Sequence, residues 1–485
     1  ADEAVLVADP RLSVIQLDTL VVGAQVQRRP GRGQGTPGGT GTEGAVAPSS
    51  LPPEQQGNVA AMAASLPGVV LLPGLEGEPD AFSVLGLGGD QNTVTLNGMQ
   101  VGAGGLPRDA AISASLTTSP ADPSRGGFSG ASFDIGSRSG SNFRTRGMSL
   151  QLTSPQLQWT DPAARALGNE HTNLSLGGTA SGPIRRNKSF YNVSWELGRQ
   201  SRANQTLLGT SELGLRTAGI AHDSVARFLA ILQGQRVPTG GAGREDRLSD
   251  NGSVFGSVDF APPNSSSGQS FGLTFNGNWR RQSPVGGGVS QLASAGGERT
   301  GWGGGIQGRH SAYWGLVLTE TNLGVNVSRD GGEPYLGLPA GRVRVSSVFA
   351  DGGSGVQSLV FGGNPGLSSA SRSVSGSFQN HLSWFDDANK HRIKLSTELQ
   401  YRGGSQDPSS NLLGSWSFNS LADLEAGRPA SFSRTLAARE RSTGSFTGAL
   451  SLGDAYRRTQ DLQFQYGVRV ETSRVTTRPA TNPLV

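Results

Sequence analysis

The sequence predicts a mainly β protein: a small mixed α/β domain followed by an incomplete antiparallel transmembrane β-barrel. Three observations carry this reading. From about Asn142 onward, apolar residues recur at every second position, in several runs longer than ten residues, which is the period of a strand with one apolar face. Glycine supplies 73 of 485 residues, about twice its usual share of roughly 7%, and suits turns and crowded strand walls. No stretch approaches the ~18–20 apolar residues of a membrane-spanning helix, whereas a barrel strand needs only about 10 residues with every second one apolar.

Six segments show the alternation. Phe271, Leu273, Phe275 and Trp279 share one strand face, as do Val374, Phe378, Leu382 and Trp384 on another. Leu462, Phe464, Tyr466, Val468 and Val470 form a third set, and Tyr191, Val193, Trp195 and Leu197 a fourth. Ile393, Leu395, Leu399 and Tyr401, then Phe446, Leu450, Leu452 and Tyr456, complete them. The intervening positions are mainly polar, and aromatics favour strand ends, as in the interfacial girdle of a barrel. A soluble sandwich also alternates, but its strands average nearer 5–6 residues. The connections are uneven: a tight Asp386-Asp387-Ala388-Asn389 turn contrasts with the Arg202 to Asp250 excursion, matching short periplasmic turns and long outer loops.

Composition removes several function classes. The chain has no cysteine, so disulfide frameworks, thiolate metal sites and cysteine nucleophiles are excluded together. A net charge of +4 spread among interspersed acids and bases gives no footprint for nucleic acid. Glycine and proline together make up about a fifth of the chain, below the roughly 25–30% at which low-complexity disorder is the better explanation. Enzyme signatures are also missing. Gly303 to Gly308 satisfies GxGxxG literally, yet no Val/Ile-rich strand precedes it and no helix follows, so it reads as a glycine-rich barrel strand. His171, His222, His310, His381 and His391 are scattered without metal-ligand spacing. No catalytic residue, metal site or cofactor is expected.

Four regions follow along the chain. Residues 1–27 contain a short apolar run from Val14 to Val26, read as the end of a small β-domain and an extended strand. Residues 28–53 are a Gly/Pro/Thr/Ser tract expected to be a flexible linker. Residues 54–141 form the small mixed α/β domain. In it Pro53-Glu54 opens a helix through Asn58 to Ala64, Pro67-Gly68 stops it, Val69 to Leu72 and Thr93 to Leu96 are strands, and Asn97-Gly98 is a hairpin turn. Residues 142–485 are barrel, with an amphipathic helix over Asp223 to Gln233 lying on an outer loop.

Several stretches, in order, resemble TonB-dependent outer-membrane receptors. Asp18-Thr19-Leu20-Val21-Val22-Gly23-Ala24 resembles the TonB box, although Gly23 stands where the family usually has threonine. Leu66-Pro67-Gly68-Val69, the text from Phe82 to Gly98 that includes Asp90, Gln91, Asn97 and Gly98, and Asp122 to Ala131 with Arg125, Gly126 and Gly127 resemble the plug domain. Phe133 to Asn142, Gly177 to Ile184, Lys188 to Tyr191 and Phe418 to Pro429 are similar to elements of the Oar-like branch, in which a regulatory-like β-domain often precedes the box.

The resemblance implies energised uptake of a nutrient across the bacterial outer membrane, with a TonB-type periplasmic energy-coupling protein as partner, outer-membrane lipid around the barrel, and a surface lipoprotein as a further partner. The Oar-like branch implies an oligomeric nutrient, peptide or carbohydrate. Asp18, Thr19, Leu20, Val21, Val22 and Ala24 would be gripped by strand addition, which needs β-propensity and a free tether. Arg125 would pair with a wall carboxylate, Glu196 or Glu398. The alternative is an adhesin or passive porin-like barrel without energy coupling. The 344 residues from Asn142 to Val485 leave room for roughly 13 or 14 strands, against the 22 of a plugged transporter. A fragment with an open sheet edge is therefore expected.

Overall fold

The computed structural model describes residues 43–46, 51–52, 55–73, 80–100, 105–118, 124, 126, 130–157, 171–240, 246–262, 268–386, 390–438, 440–459 and 462–477. The first unit is the plug. Its strands are β1 (Glu43–Val46), β2 (Val69–Leu72), β3 (Ala81–Val84), β4 (Thr93–Leu96), β5 (Met99–Gln100), β6 (Ile112–Thr117) and β7 (Ser132–Ser137). Five make one sheet in the order β1-β6-β7-β4-β5, while β2 and β3 form a separate hairpin. Among the described strands of the five-stranded sheet, only β4 and β7 run parallel.

Local chemistry explains these elements. Helix α1 (Val59–Ala64) starts where the Asn58 side chain accepts the Ala61 amide at 3.1 Å, satisfying a donor that has no partner inside the helix. The expected opening at Pro53-Glu54 lies outside the described residues, and the helix itself begins at Val59. Asn97 and Gly98 have φ of 51° and 82°, the left-handed pair that a two-residue hairpin between β4 and β5 requires. In β7, Phe133 and Ile135 are buried in the plug core and Phe133 meets the Phe82 ring edge-on at 6.0 Å. One boundary changes. The tract expected to be linker throughout 28–53 contains β1, which pairs antiparallel with β6 from Glu43 opposite Thr117 to Val46 opposite Ala114. Strand addition needs free backbone more than a side-chain pattern, so a Gly/Thr-rich stretch can supply it.

The second unit is a wall of eleven antiparallel strands. They are β8 (Thr145–Thr153), β9 (His171–Arg185), β10 (Ser189–Ala203), β11 (Asp246–Phe260), β12 (Ser270–Val285), β13 (Gly297–Trp314), β14 (Val317–Pro334), β17 (Ala370–Phe385), β18 (His391–Asp407), β21 (Arg441–Arg457) and β22 (Gln463–Val475). Each neighbours the next in this order, and β8 and β22 are the two edges, so the barrel is not closed. The apolar sets read from the sequence all fall on one face. Phe271, Leu273, Trp279, Leu197, Tyr401, Leu450 and Val468 are exposed on the outside of the wall. The alternate residues, such as Glu196, Thr274, Gln307, Gln379 and Glu398, face the plug side. The GxGxxG stretch lies inside β13.

The wall holds fewer strands than the length allowed because two long connections keep strands for themselves. These are β15 (Ala340–Val348), β16 (Ser354–Gly362), β19 (Ser415–Phe418) and β20 (Ser431–Ser433), which form a separate sheet. Helices α2 (Glu212–Thr217), α3 (His222–Gly234) and α4 (Leu421–Glu425) pack with it. Phe228 and Leu232 of α3, Val343 of β15, Leu359 of β16 and Leu424 of α4 share a second apolar core, with Leu229 packed against it. The helix expected over Asp223 to Gln233 is α3, and it helps to build a cap at the long-loop end.

Phe133 is fully buried in the plug core, so Phe133→Ala should cost about 3–5 kcal/mol through lost transfer energy and a cavity. Amide hydrogen exchange on the detergent-solubilised protein should then quicken in β4, β6 and β7 while β13 and β14 stay protected. Equal quickening in both units would mean that the plug has no core of its own.

Candidate functional site

The plug meets the inner face of the wall through polar groups. At one contact the β4–β5 hairpin touches five wall strands, Gln400 of β18 donating to the Gln100 side chain at 3.0 Å. Gln307 of β13 donates to the Leu96 carbonyl at 2.9 Å, Gln379 of β17 donates to the Gly98 carbonyl at 2.9 Å, Asn326 of β14 donates to the Gln100 carbonyl at 3.1 Å, and Asn97 donates to Thr274 of β12 at 3.3 Å. The hairpin can come this close because Gly324 of β14 lacks a Cβ, which would lie 2.6 Å from the Met99 methyl. Phe255 of β11 is the wall residue that joins the plug core.

A second contact is ionic. Glu196 of β10 accepts the Arg108 backbone amide at 2.8 Å and its guanidinium at 3.2 Å, and Ser175 of β9 donates to the same carboxylate at 2.7 Å. Beside it, Ser149 of β8 donates to Asp109 at 2.8 Å. The Arg108 and Glu196 side chains are 15% and 14% exposed, so solvent screens the pair far less than an open surface pair.

Between β4, β5 and β7 of the plug and strands β14, β17, β18, β21 and β22 lies a cavity of about 490 Å³. Thr95, Asn97, Gln100 and Asp134 line its plug side; Glu320, His381, Lys394, Glu398, Arg402 and Arg469 line its wall side. Lys394 donates to the Ser124 hydroxyl at 2.6 Å, and Arg469 bonds the Ser124 carbonyl at 3.4 Å and Glu398 at 2.9 Å. Charges of both signs face a wet space here. At the far end, the cap holds an apolar recess of about 350 Å³ lined by Val237, Leu338, Phe361, Trp416, Phe418 and Leu424, among others.

The residues singled out from the sequence fall in three groups. Asn97, Gly98 and Gly126 come together around the cavity, and Gly126 lies so near Arg469 that an added Cβ would be 2.8 Å from its Nε. Asp90 and Gln91 sit in the single turn before β4, where the Gln91 carbonyl accepts the Gly130 amide at 3.0 Å. Asp18, Thr19, Leu20, Val21, Val22, Ala24, Arg125 and Gly127 lie outside the described residues. Both carboxylates suggested for Arg125 have arginine partners: Glu196 holds Arg108 of the plug, and Glu398 holds Arg469 of the wall itself. Sequence reasoning missed Arg108, Asp109 and Ser149. The available signal was Glu196, an acid on the polar face of a strand whose other face carries Trp195 and Leu197. The five histidines are spread over β9, α3, β13, β17 and β18.

No protein-family model and no curated protein sequence matches the chain. Solved structures do. The outer membrane transporter YddB from Escherichia coli superposes with a TM-score of 0.59 at 12% identity, over 89% of this chain and 56% of that one. The siderophore receptor PirA from Acinetobacter baumannii gives 0.55 at 12% identity, over 89% and 56%. A ferric enterobactin receptor PfeA mutant from Pseudomonas aeruginosa gives 0.53 at 12% identity, over 89% and 57%. The chain thus spans a little over half the length of these proteins, and over that span it has the plug-and-barrel fold of TonB-dependent outer-membrane receptors.

Proposed function

We propose that this chain supplies the plug and part of the wall of a TonB-dependent transporter that takes up a nutrient across the bacterial outer membrane. One observation carries the reading: a folded domain with its own core is held against the inner face of an apolar-coated wall mainly by water-exchangeable polar contacts. A neutral hydrogen bond nets only about 0.5–1.5 kcal/mol against water, so such a domain can be moved without unfolding the wall. The shared fold with a transporter and two siderophore receptors supports the same function.

The mechanism follows from the order of the chain. A TonB-type periplasmic protein grips Asp18 to Ala24 by strand addition and pulls. Among the described residues, the first paired element that the pull reaches is β1, whose four residue pairs with β6 open one after another from the Glu43 end. The load then passes to the plug sheet and to the Arg108–Glu196 contact. The cavity beside Asp134, Lys394 and Arg469 widens into a hydrophilic path, and no covalent chemistry is required. The nutrient is captured first at the cap, where Trp416, Phe361 and Phe418 offer flat apolar faces suited to sugar rings or apolar peptide side chains. An oligomeric peptide or carbohydrate fits this reading.

Three outcomes test it in the complete protein. Deleting residues 18–24 should abolish energised uptake and leave surface binding intact; uptake that survives the deletion would sink the coupling claim. Val46 and Ala114 are Cα partners across β1 and β6, within the usual reach of a disulfide, and the chain has no other cysteine. Val46→Cys/Ala114→Cys should therefore block uptake when oxidised and restore it on reduction; equal uptake in both states would show that β1 stays in place. Glu196→Ala leaves the Arg108 guanidinium partly buried without its acid, at a cost of about 1–3 kcal/mol. Cells carrying it should leak small hydrophilic antibiotics that the parent excludes, whereas an unchanged leak would show that this contact does not hold the plug.

A further inference from the structure

On the outside of the wall, one hydrogen-bonded row crosses six strands. Trp279 lies opposite Trp302, Trp302 opposite Arg329, Arg329 opposite Arg372, Arg372 opposite Ser405, and Ser405 opposite Ser442. Directly opposed residues share a face, and Trp279, Trp302, Arg329 and Arg372 are all exposed there. Two arginines thus stand side by side, with Cβ atoms about 4.5–5.5 Å apart, in an arrangement that costs energy unless an anion lies between them.

No carboxylate among the described residues supplies that anion. The acids that face outward nearby are engaged: Asp407, diagonal to Arg372 on β18, accepts the Ser409 amide at 2.9 Å, Asp250 pairs with Arg199 at 2.6 Å and Glu298 with Arg281 at 2.7 Å. Asp330 points to the lumen and holds Arg280. Glu333 also faces outward, but it lies four residues further along β14 than Arg329.

The row's height says what the anion is. Trp302 and Trp314 are both exposed on β13, Trp314 as its last residue and Trp302 five residues in from its start, and the twelve residues between them at ~3.3 Å span about 40 Å along the strand. A tilt of about 35–45° reduces this to roughly 30 Å across the layer. Trp302 therefore marks one interface and Trp314 the other. Arg329 and Arg372 follow Trp302 one and two strands along the row, within about 6 Å of its height at that tilt, on the side where β14 leads into the cap and away from the short turns. We infer that Arg329 and Arg372, flanked by Trp302, Ser405 and Ser442, form a binding site for the phosphate of an outer-leaflet lipid head group. The planar guanidinium forks suit phosphate oxygens, the hydroxyls suit a polyhydroxylated head group, and the apolar surface below suits acyl chains. The site rests on the membrane reading given under Proposed function.

The test uses the complete protein in nanodiscs of zwitterionic phospholipid, doped with a phosphorylated glycolipid or with the same glycolipid after its phosphates are removed. Co-retained lipid is quantified by mass spectrometry. Each arginine near a charged lipid surface is worth about fivefold, so the parent should enrich the phosphorylated form roughly 25-fold over the other. Arg329→Gln/Arg372→Gln should bring that ratio close to one. Arg199→Gln, whose guanidinium is already held by Asp250, should leave it unchanged. A parent ratio near one, or a double variant that keeps the parent ratio, overturns the site. Abolition of the enrichment by millimolar inorganic phosphate would make it a soluble-anion site and overturn the lipid assignment. Release of the parent protein from washed outer membranes would instead sink the membrane reading, a separate outcome read in a separate experiment.

Discussion

The structure depends on one constraint: the wall strands show an apolar face outward and, Phe255 of β11 apart, a mainly polar face inward, so whatever fills the interior must satisfy polar groups. An apolar core could not seat there without stranding Gln307, Gln379, Asn326 and Glu196, and a buried unpaired polar group costs about 1–3 kcal/mol. The plug meets this demand with its backbone. The Leu96, Gly98 and Gln100 carbonyls accept from three wall amide side chains, and the Arg108 amide donates to Glu196. The plug therefore keeps its apolar residues for its own core and presents hydrogen-bonding groups to the wall. Its position is specified by geometry while its attachment stays modest.

The cap obeys the opposite rule. Leu207, Phe228, Leu292, Leu359 and Leu424 come from four connections between wall strands, yet they bury one another in a single core. Dispersed over separate mobile loops, each of these side chains would face water; gathered, each fully buried one gains about 1.5–3 kcal/mol. The long-loop end thereby has a core of its own, and the recess beside Trp416 and Phe361 lies against it. A cap with its own core over a plug held by polar contacts suits the uptake proposed above.

How much of this was legible in the sequence follows from how local each pattern is. The wall strands were legible because Phe271, Leu273 and Phe275 repeat with period two within a single strand. The Asn97-Gly98 hairpin was legible because only a left-handed pair forms that turn. The cap core was not, since Val343 and Phe228 are brought together by a fold that no local pattern encodes. Strand β1 was hidden for a related reason: Glu43 to Val46 acquires its conformation from β6. The ionic contact was half legible. Glu196 stood out as an acid on a polar wall face, but its partner is fixed by where the loop before β6 passes the wall, and that loop carries Arg108.

The glycine excess, which first pointed to a β wall, has its cause in the same alternation. Outward aromatics do not stand away from the sheet; several lie flat across a glycine on the neighbouring strand. Phe275 covers Gly256 so closely that a Cβ there would collide with its ring, and a Cβ on Gly178 would come within 2.7 Å of the Trp195 indole nitrogen. In each case the ring shields the exposed glycine backbone that would otherwise weaken the strand. The surface that results is smooth and apolar despite a mean hydropathy of −0.31 for the chain. Mean hydropathy therefore reports little about a wall of this kind. Half of each strand is chosen for a polar interior, and part of the other half is glycine whose exposed area belongs to an aromatic neighbour.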